Sequence, residues 1–190
     1  MNKQRRTSMR VITGIARGMR IQTLEGMETR PTAERVKEAE FSIIQFEIEG
    51  RNALDLFAGS GQLGIEALSR GAKHATFVDA NPQAVKVIRE NLLHTGLAAN
   101  SSVAAGDVEQ FLMHTKGVFD IVFIDPPYSK GLIEKVLPLT AQHMSDAGVI
   151  ICEAAKMDKL PENAGDFKLV RHGDYGKTSL AVYRKEQGSV

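Results

Sequence analysis

A doubly wound, mostly parallel α/β sheet of seven strands, closed at one edge by an antiparallel hairpin, is the fold that three features of this 190-residue chain predict. From residue 52 onward, short apolar runs of β character alternate with amphipathic stretches of helical period, the pattern of right-handed βαβ units. The first of these runs, ALDLF, ends in a glycine-rich loop that leads directly into a helix. The last two, FKLVRHG and TSLAVYR, are joined around Asp174–Lys177 without room for a crossover helix, so they pair antiparallel.

Taken in order, residues 1–9 are expected to be disordered. RVITG and RGMRIQT alternate and read as a small hairpin or bent strand pair. Thr32 is placed to cap a helix over 33–47, with Glu34 in its first turn and Val36, Ala39, Ile43 and Phe46 sharing a face. Strand ALDLF is followed by a helix near 62–69 and strand HATFVD. Asn81-Pro82 then opens a helix that aligns Ala84, Ile88 and Leu92. Strand SSVAA precedes a short helix marked by Val108, Phe111 and Leu112. After strand FDIVFID, a helix capped by Ser129 pairs Leu132 with Val136 and Ile133 with Leu137. GVIICEA is the strand before the closing hairpin. The chain thus divides into a basic N-terminal extension of β and helix, residues 1–37, and a sheet domain, residues 38–190.

Composition narrows the function. A chain that is 43% hydrophobic and 25% charged is an ordinary globular protein, long enough to bury a core without disulfide or metal staples. No apolar run approaches the length of a membrane span, and the basic start leads into no signal-peptide core, which points to a cytoplasmic protein. The lone Cys152 sits in the apolar run VIIC and reads as a small buried hydrophobe. The five histidines lack metal-ligand spacing. Residues 1–37 hold nine Lys/Arg and three Asp/Glu, whereas 38–190 hold fifteen and twenty. A basic arm on a mildly acidic body fits a polyanionic partner.

Two motifs carry chemistry. In Asp55-Leu-Phe-Ala-Gly59-Ser-Gly61-Gln-Leu-Gly64, glycines between strand and helix let the backbone approach a ligand, and Asp79 ends the next strand, where a carboxylate would hold ribose hydroxyls. The pattern fits NAD or S-adenosylmethionine (SAM). Asp55 favours SAM, because a carboxylate repels a pyrophosphate and attracts a sulfonium and an ammonium. The second motif is Asp125-Pro126-Pro127-Tyr128, at the end of the fourth strand. The prolines stiffen the turn and donate no hydrogen bond, so the Pro126 carbonyl and the Asp125 carboxylate form two adjacent acceptors suited to an NH₂ group. Tyr128 offers a face on which a planar base stacks.

With Asp107, these residues resemble the motifs of class I SAM-dependent methyltransferases that modify exocyclic amines. More narrowly, Arg10–Gly14 (RVITG), Arg17-Gly18, Thr29–Val36 (TRPTAERV), Leu54–Gly71 and Tyr175–Tyr183 (YGKTSLAVY) are similar to the RsmD family of bacterial 16S rRNA guanine-N2 methyltransferases, over roughly residues 9–184. Glu40 departs from that family, which usually has an apolar or small residue there, as does Ser42, where Asn is usual. The resemblance implies that residues 38–190 form a SAM-binding methyltransferase domain. Asp55, Gly59, Gly61, Asp79, Asp107 and Val108 would hold the cofactor, and Asp125, Pro126 and Tyr128 would serve the transfer. Arg10, Arg17, Arg20, Arg30 and Arg35 would dock 16S rRNA, free or in a 30S particle, onto a monomeric protein without metal or membrane. The competing readings are an adenine-N6 or glutamine-side-chain methyltransferase, an NAD-dependent dehydrogenase, and an RNA-binding module on an inactive nucleotide fold. A dehydrogenase needs a substrate domain for which 190 residues leave no room.

Overall fold

The β and helical periods of the sequence resolve into ten strands and five α-helices over residues 9–24, 31–128 and 131–186, which the computed structural model describes. In chain order these are β1 (Met9–Arg10), β2 (Arg20–Ile21), α1 (Pro31–Ile43), β3 (Asn52–Leu56), α2 (Gln62–Ser69), β4 (His74–Asp79), α3 (Pro82–Thr95), β5 (Ser101–Ala105), α4 (Val108–His114), β6 (Phe119–Ile124), α5 (Leu132–Ala141), β7 (Met144–Ala155), β8 (Asn163–Ala164), β9 (Phe167–Tyr175) and β10 (Thr178–Lys185).

Eight strands form one sheet in the order β5-β4-β3-β6-β7-β10-β9-β8. β3 to β7 run parallel, and β10 is antiparallel to both β7 and β9. Seven strands were expected. The eighth is the two-residue Asn163–Ala164, paired with Lys168 and Phe167 and too short to show a period. The closing hairpin turns on Gly176-Lys177 alone, between the partners Tyr175 and Thr178, with Gly176 at φ 67°. The chain moves outward from β3 to β5 and then returns to β6 on the other side of β3. Open α/β sheets bind ligands outside the carboxyl ends of the strands at such a reversal.

One sheet face is covered by α1, α2 and α3, with Phe41, Ile65 and Ile88 in the same apolar core as Phe77 and Phe123. The other is covered by α4 and α5, where Leu112, Val136 and Leu137 join Val122 and Ile150. Two expected features of α1 are corrected. The helix begins at Pro31, whose missing N–H costs nothing at a first helical position, so Thr32 lies inside the first turn and is not the cap. It ends at Ile43, leaving Phe46 outside it and 92% exposed. The buried face of the helix is Val36, Lys37, Glu40 and Phe41, continued by Ile44 just past its end. Two of these are charged residue types, so an apolar period selects a different stripe.

Lys37 is tolerated there because its Nζ donates to the Arg10 carbonyl at 2.8 Å and stands 3.7 Å from Glu66. The two carboxylate oxygens of Glu66 in turn accept the backbone N–H groups of Ile12 and Thr13. Met9, Val11, Ala16 and Ile21 enter the core on this face. Met9 is therefore ordered in β1 and buried; the remainder of the stretch expected to be disordered, residues 1–8, lies outside the described residues, as does the Ser129 cap. The boundary drawn at residue 37 falls within α1. No described helix is long and apolar enough to cross a membrane.

Candidate active site

β3 and β6 are neighbours paired in register, Asp55 opposite Phe123 and Leu56 opposite Ile124. Side chains alternate along a strand, so Asp55 and Asp125 continue the rows of Ala53 and of Ile121 and Phe123 toward the face that α1 covers. β7 is in register with β6 at Ile124–Cys152, which brings Glu153 beside Asp125. Glu40 reaches the same place from α1. Four carboxyl groups from four elements therefore meet at the carboxyl edge of the sheet.

Their mutual proximity and burial set their protonation. Burial raises Asp55 to a pKa of about 8, against the backbone N–H of Gly64, which donates to its Oδ2 at 2.9 Å and favours the charged form. Burial, then the charges of Glu153 and Asp55, push Asp125 well above the usual carboxylate range. Glu40 is raised likewise, by burial and then by Glu153, Asp125 and Asp55. Burial raises Glu153 also, opposed by hydroxyl hydrogen bonds from Tyr128 and Thr178. A carboxylate at the ordinary value near 3.9 is a feeble base, whereas Asp125 in this cluster holds a proton far more strongly.

The turn after β6 places Tyr128 on the same group of residues. Its hydroxyl donates to Glu153 Oε1 and lies 3.0 Å from Thr178 Oγ1 on β10, so the ring is anchored at its far end. Pro126 is buried and Pro127 exposed.

The glycine loop between β3 and α2 is built on left-handed backbone: Phe57, Gly59 and Gly61 have φ of 61°, 56° and 77°. Phe57 is the one described non-glycine residue in this region, and strain of this kind gathers where a loop is shaped for a ligand. Gly64 has a different reason. A Cβ there would stand 2.3 Å from the Phe77 ring, so this glycine lets α2 approach the sheet. Asp79 accepts the Gly59 N–H on Oδ2 and the Asn81 N–H on Oδ1, both at 2.8 Å, which ties the loop to the end of β4. Asp107 caps α4, accepting from Gln110 N at 3.0 Å, and Val108 behind it is buried.

These groups suit a cationic nucleoside ligand. Asp55, Asp79 and Asp107 offer carboxyl acceptors around the loop. Gln62 Oε1, in the first turn of α2, is buried and has no hydrogen-bond partner among the described residues, an acceptor ready for an ammonium. Sequence reasoning passed over Gln62, Glu40 as a site residue, and Glu153. Only Glu153 left a signal, an acidic residue at the end of the apolar run VIICE.

The expected docking arginines separate. Arg10 and Arg20 are cross-strand partners on the β1–β2 ribbon, Arg17 lies in the turn between, and all three are exposed. Arg35 is exposed on α1, and Arg30 lies outside the described residues. Cys152 is buried, and burial raises its thiol, so it is no nucleophile. No group of His, Cys, Asp and Glu among the described residues could hold a metal.

Residues 9–184 match the family described as Conserved hypothetical protein 95. YlbH of Bacillus subtilis, named as a candidate rRNA methyltransferase, is 38% identical over 182 residues, covering 93% of this chain and 99% of its own. Ribosomal RNA small subunit methyltransferase D of Escherichia coli is 32% identical over 180 residues, covering 94% of this chain and 90% of its own. Among solved structures, the Escherichia coli protein yhhF, named as a candidate methyltransferase, superposes with a TM-score of 0.81 at 32% identity, covering 94% and 98% of the two chains.

Proposed function

The chain belongs to the Conserved hypothetical protein 95 family, the RsmD family, and on that premise we propose that it methylates the exocyclic N2 amine of a guanine in 16S rRNA. It is a methyltransferase that acts on ribosomal RNA, and S-adenosylmethionine is its cofactor. When bound, SAM supplies a methyl group made electrophilic by its sulfonium. Asp55, Asp79, Asp107 and Gln62 are the groups that would hold it, around the loop of Gly59 and Gly61, with Val108 beneath.

The observation that carries the reading is the Asp125–Tyr128 turn beside the glycine loop, at the reversal of the sheet. The lone pair of an aromatic exocyclic amine is delocalised into its ring. The Asp125 carboxyl, which a cationic ligand beside it would favour in its ionised form, and the Pro126 carbonyl would accept the two amine hydrogens, favour a tetrahedral nitrogen and aim its lone pair. Tyr128 would hold the base by stacking, on a ring whose hydroxyl is already fixed by Glu153 and Thr178. Once nitrogen carries the new methyl group it sheds a proton, and Asp125, raised by burial and its acidic neighbours, is the base beside it. A base inside a duplex cannot reach this turn, so the target is unpaired or flipped out. The exposed Arg10, Arg17 and Arg20 would meet phosphates, and Arg30 and Arg35 would extend that surface.

The test incubates the protein with tritiated SAM and either free 16S rRNA or 30S particles, followed by nucleoside analysis. N2-methylguanosine is the expected product, and Asp125→Ala should cut turnover by about a hundredfold or more while SAM affinity stays within a few fold. Labelled N6-methyladenosine, or an Asp125→Ala protein of normal turnover, would overturn the reading.

A further inference from the structure

A cavity of about 280 Å³ opens beside the Asp125–Tyr128 turn, and its lining includes Pro126, Tyr128, Ile133, Glu153, Ala154 and Leu160. Its walls mix apolar side chains with the charged Glu134, Asp158 and Lys159, and the volume lies just below the range of about 300–1,000 Å³ typical of small-ligand pockets. We propose that this cavity receives the target base and that Glu153 reads its Watson–Crick edge, accepting the N1–H of guanine and so selecting guanine over adenine.

The inference rests on the amine-transfer reading and adds the residue that decides which purine is accepted. With the amine held at Asp125 and Pro126, the next atom along the base edge is N1. In guanine N1 carries a hydrogen and donates; in adenine it is a bare acceptor. The group adjoining Asp125 in the register of β6 and β7 is Glu153, half-buried and in the cavity lining. Its role as an acceptor is marked by its partners, since the Tyr128 hydroxyl donates to Oε1 and the Thr178 hydroxyl also bonds to it. A carboxylate has about four lone-pair sites, so capacity remains for an N1–H. The other carboxylate on the cavity wall near the turn, Asp158, is directed to its own backbone and accepts from Ala155 N at 3.2 Å. Glu134 is exposed at the rim. A bare N1 facing Glu153 would leave the carboxylate opposed to a lone pair, the kind of mismatch by which hydrogen-bonding sites reject an analogue.

The experiment compares 16S rRNA carrying guanine or 2-aminopurine at the methylated position, in whichever form, free or assembled, supports turnover. 2-Aminopurine keeps the C2 amine and lacks both O6 and the N1 hydrogen. Glu153→Gln should reduce the guanine to 2-aminopurine ratio of kcat/KM by about tenfold or more, at an unchanged melting temperature. Glu153→Asp, which withdraws the carboxylate by one methylene and keeps its charge, should reduce it less and serves if the Gln variant folds poorly. If Glu153 merely anchors Tyr128, its loss slows both substrates by the same factor; that result, or no loss on either, overturns the assignment. Failure of the unmodified protein to methylate guanine at all would instead sink the amine-transfer reading on which it stands.

Discussion

Glu40 occupies a core position on α1, 2% exposed, surrounded by Asp55, Asp125 and Glu153, with the charge of Lys37 opposing theirs. Burying a carboxylate among carboxylates is tolerable when it keeps its proton, and that has a thermodynamic signature. Below the unfolded-state pKa near 4.5, Glu40 is protonated in both states and contributes no pH dependence. As pH rises above that value the unfolded chain releases the proton while the folded one retains it, so stability falls until the raised folded pKa is passed. Asp55 acts with the same sign between its ordinary 3.8 and about 8. Each group removes at most about 1.4 kcal/mol of stability per pH unit within its window. Denaturant unfolding of the ligand-free protein from pH 5 to pH 8 should therefore show falling stability, and Glu40→Gln, which needs no proton to stay neutral, should flatten that fall. A Glu40→Gln protein with an unchanged pH slope would mean that Glu40 is already ionised in the folded state.

Among the elements, α2 shows how closely one residue can control a helix position. Gly64 permits the helix to lie against β4, and the nearest obstacle to a Cβ is the Phe77 ring at 2.3 Å. Gly64→Ala should cost about 1–3 kcal/mol by overpacking, and Phe77→Leu in the same chain should recover part of the loss; thermal unfolding of the single and double variants checks both. The strands β3 to β6, the GVIICEA part of β7 and the helices α2 to α5 were legible in the sequence because each keeps one period, most of them between Gly, Pro, Asn or Asp; β7 reaches back to Met144 through the polar stretch MSDA, which shows no strand period. The stripe on α1 was not, since Lys37 and Glu40 are buried through partners distant in sequence: Glu66 and the Arg10 carbonyl for one, the site carboxylates for the other. The glycine loop and the Asp125–Tyr128 turn were legible as local motifs. Glu153 was not, because its place beside Asp125 follows from the register of β6 and β7, and register belongs to the sheet rather than to either strand.

At the scale of the whole molecule, charge is segregated. Residues 1–37 carry nine Lys/Arg against three Asp/Glu, and the rest of the chain fifteen against twenty. The fold gathers part of this excess on one ribbon, where Arg10 lies directly across from Arg20 and Arg17 sits in the turn. Like charges facing each other across two strands are mutually destabilising in isolation, an arrangement that an anion between them relieves. The ribbon is held to the body by Glu66 and Ser69, which bind the backbone of residues 12, 13 and 16, and by the buried Met9, Val11 and Ile21. Among the described residues the attachment runs through backbone groups and apolar side chains of the ribbon, so the arginine side chains can be changed without dismantling it. Replacing Arg10, Arg17 and Arg20 together by Gln should weaken RNA binding, leave SAM binding intact and leave the melting temperature unchanged. If each arginine neutralises one phosphate of unpaired RNA at about 0.7 per contact, the log–log dependence of affinity on salt should become shallower by about 2. Binding titrations over a salt series read this directly. An unaltered slope at an unaltered melting temperature would show that the ribbon arginines face solvent only, and that the RNA is held by another surface.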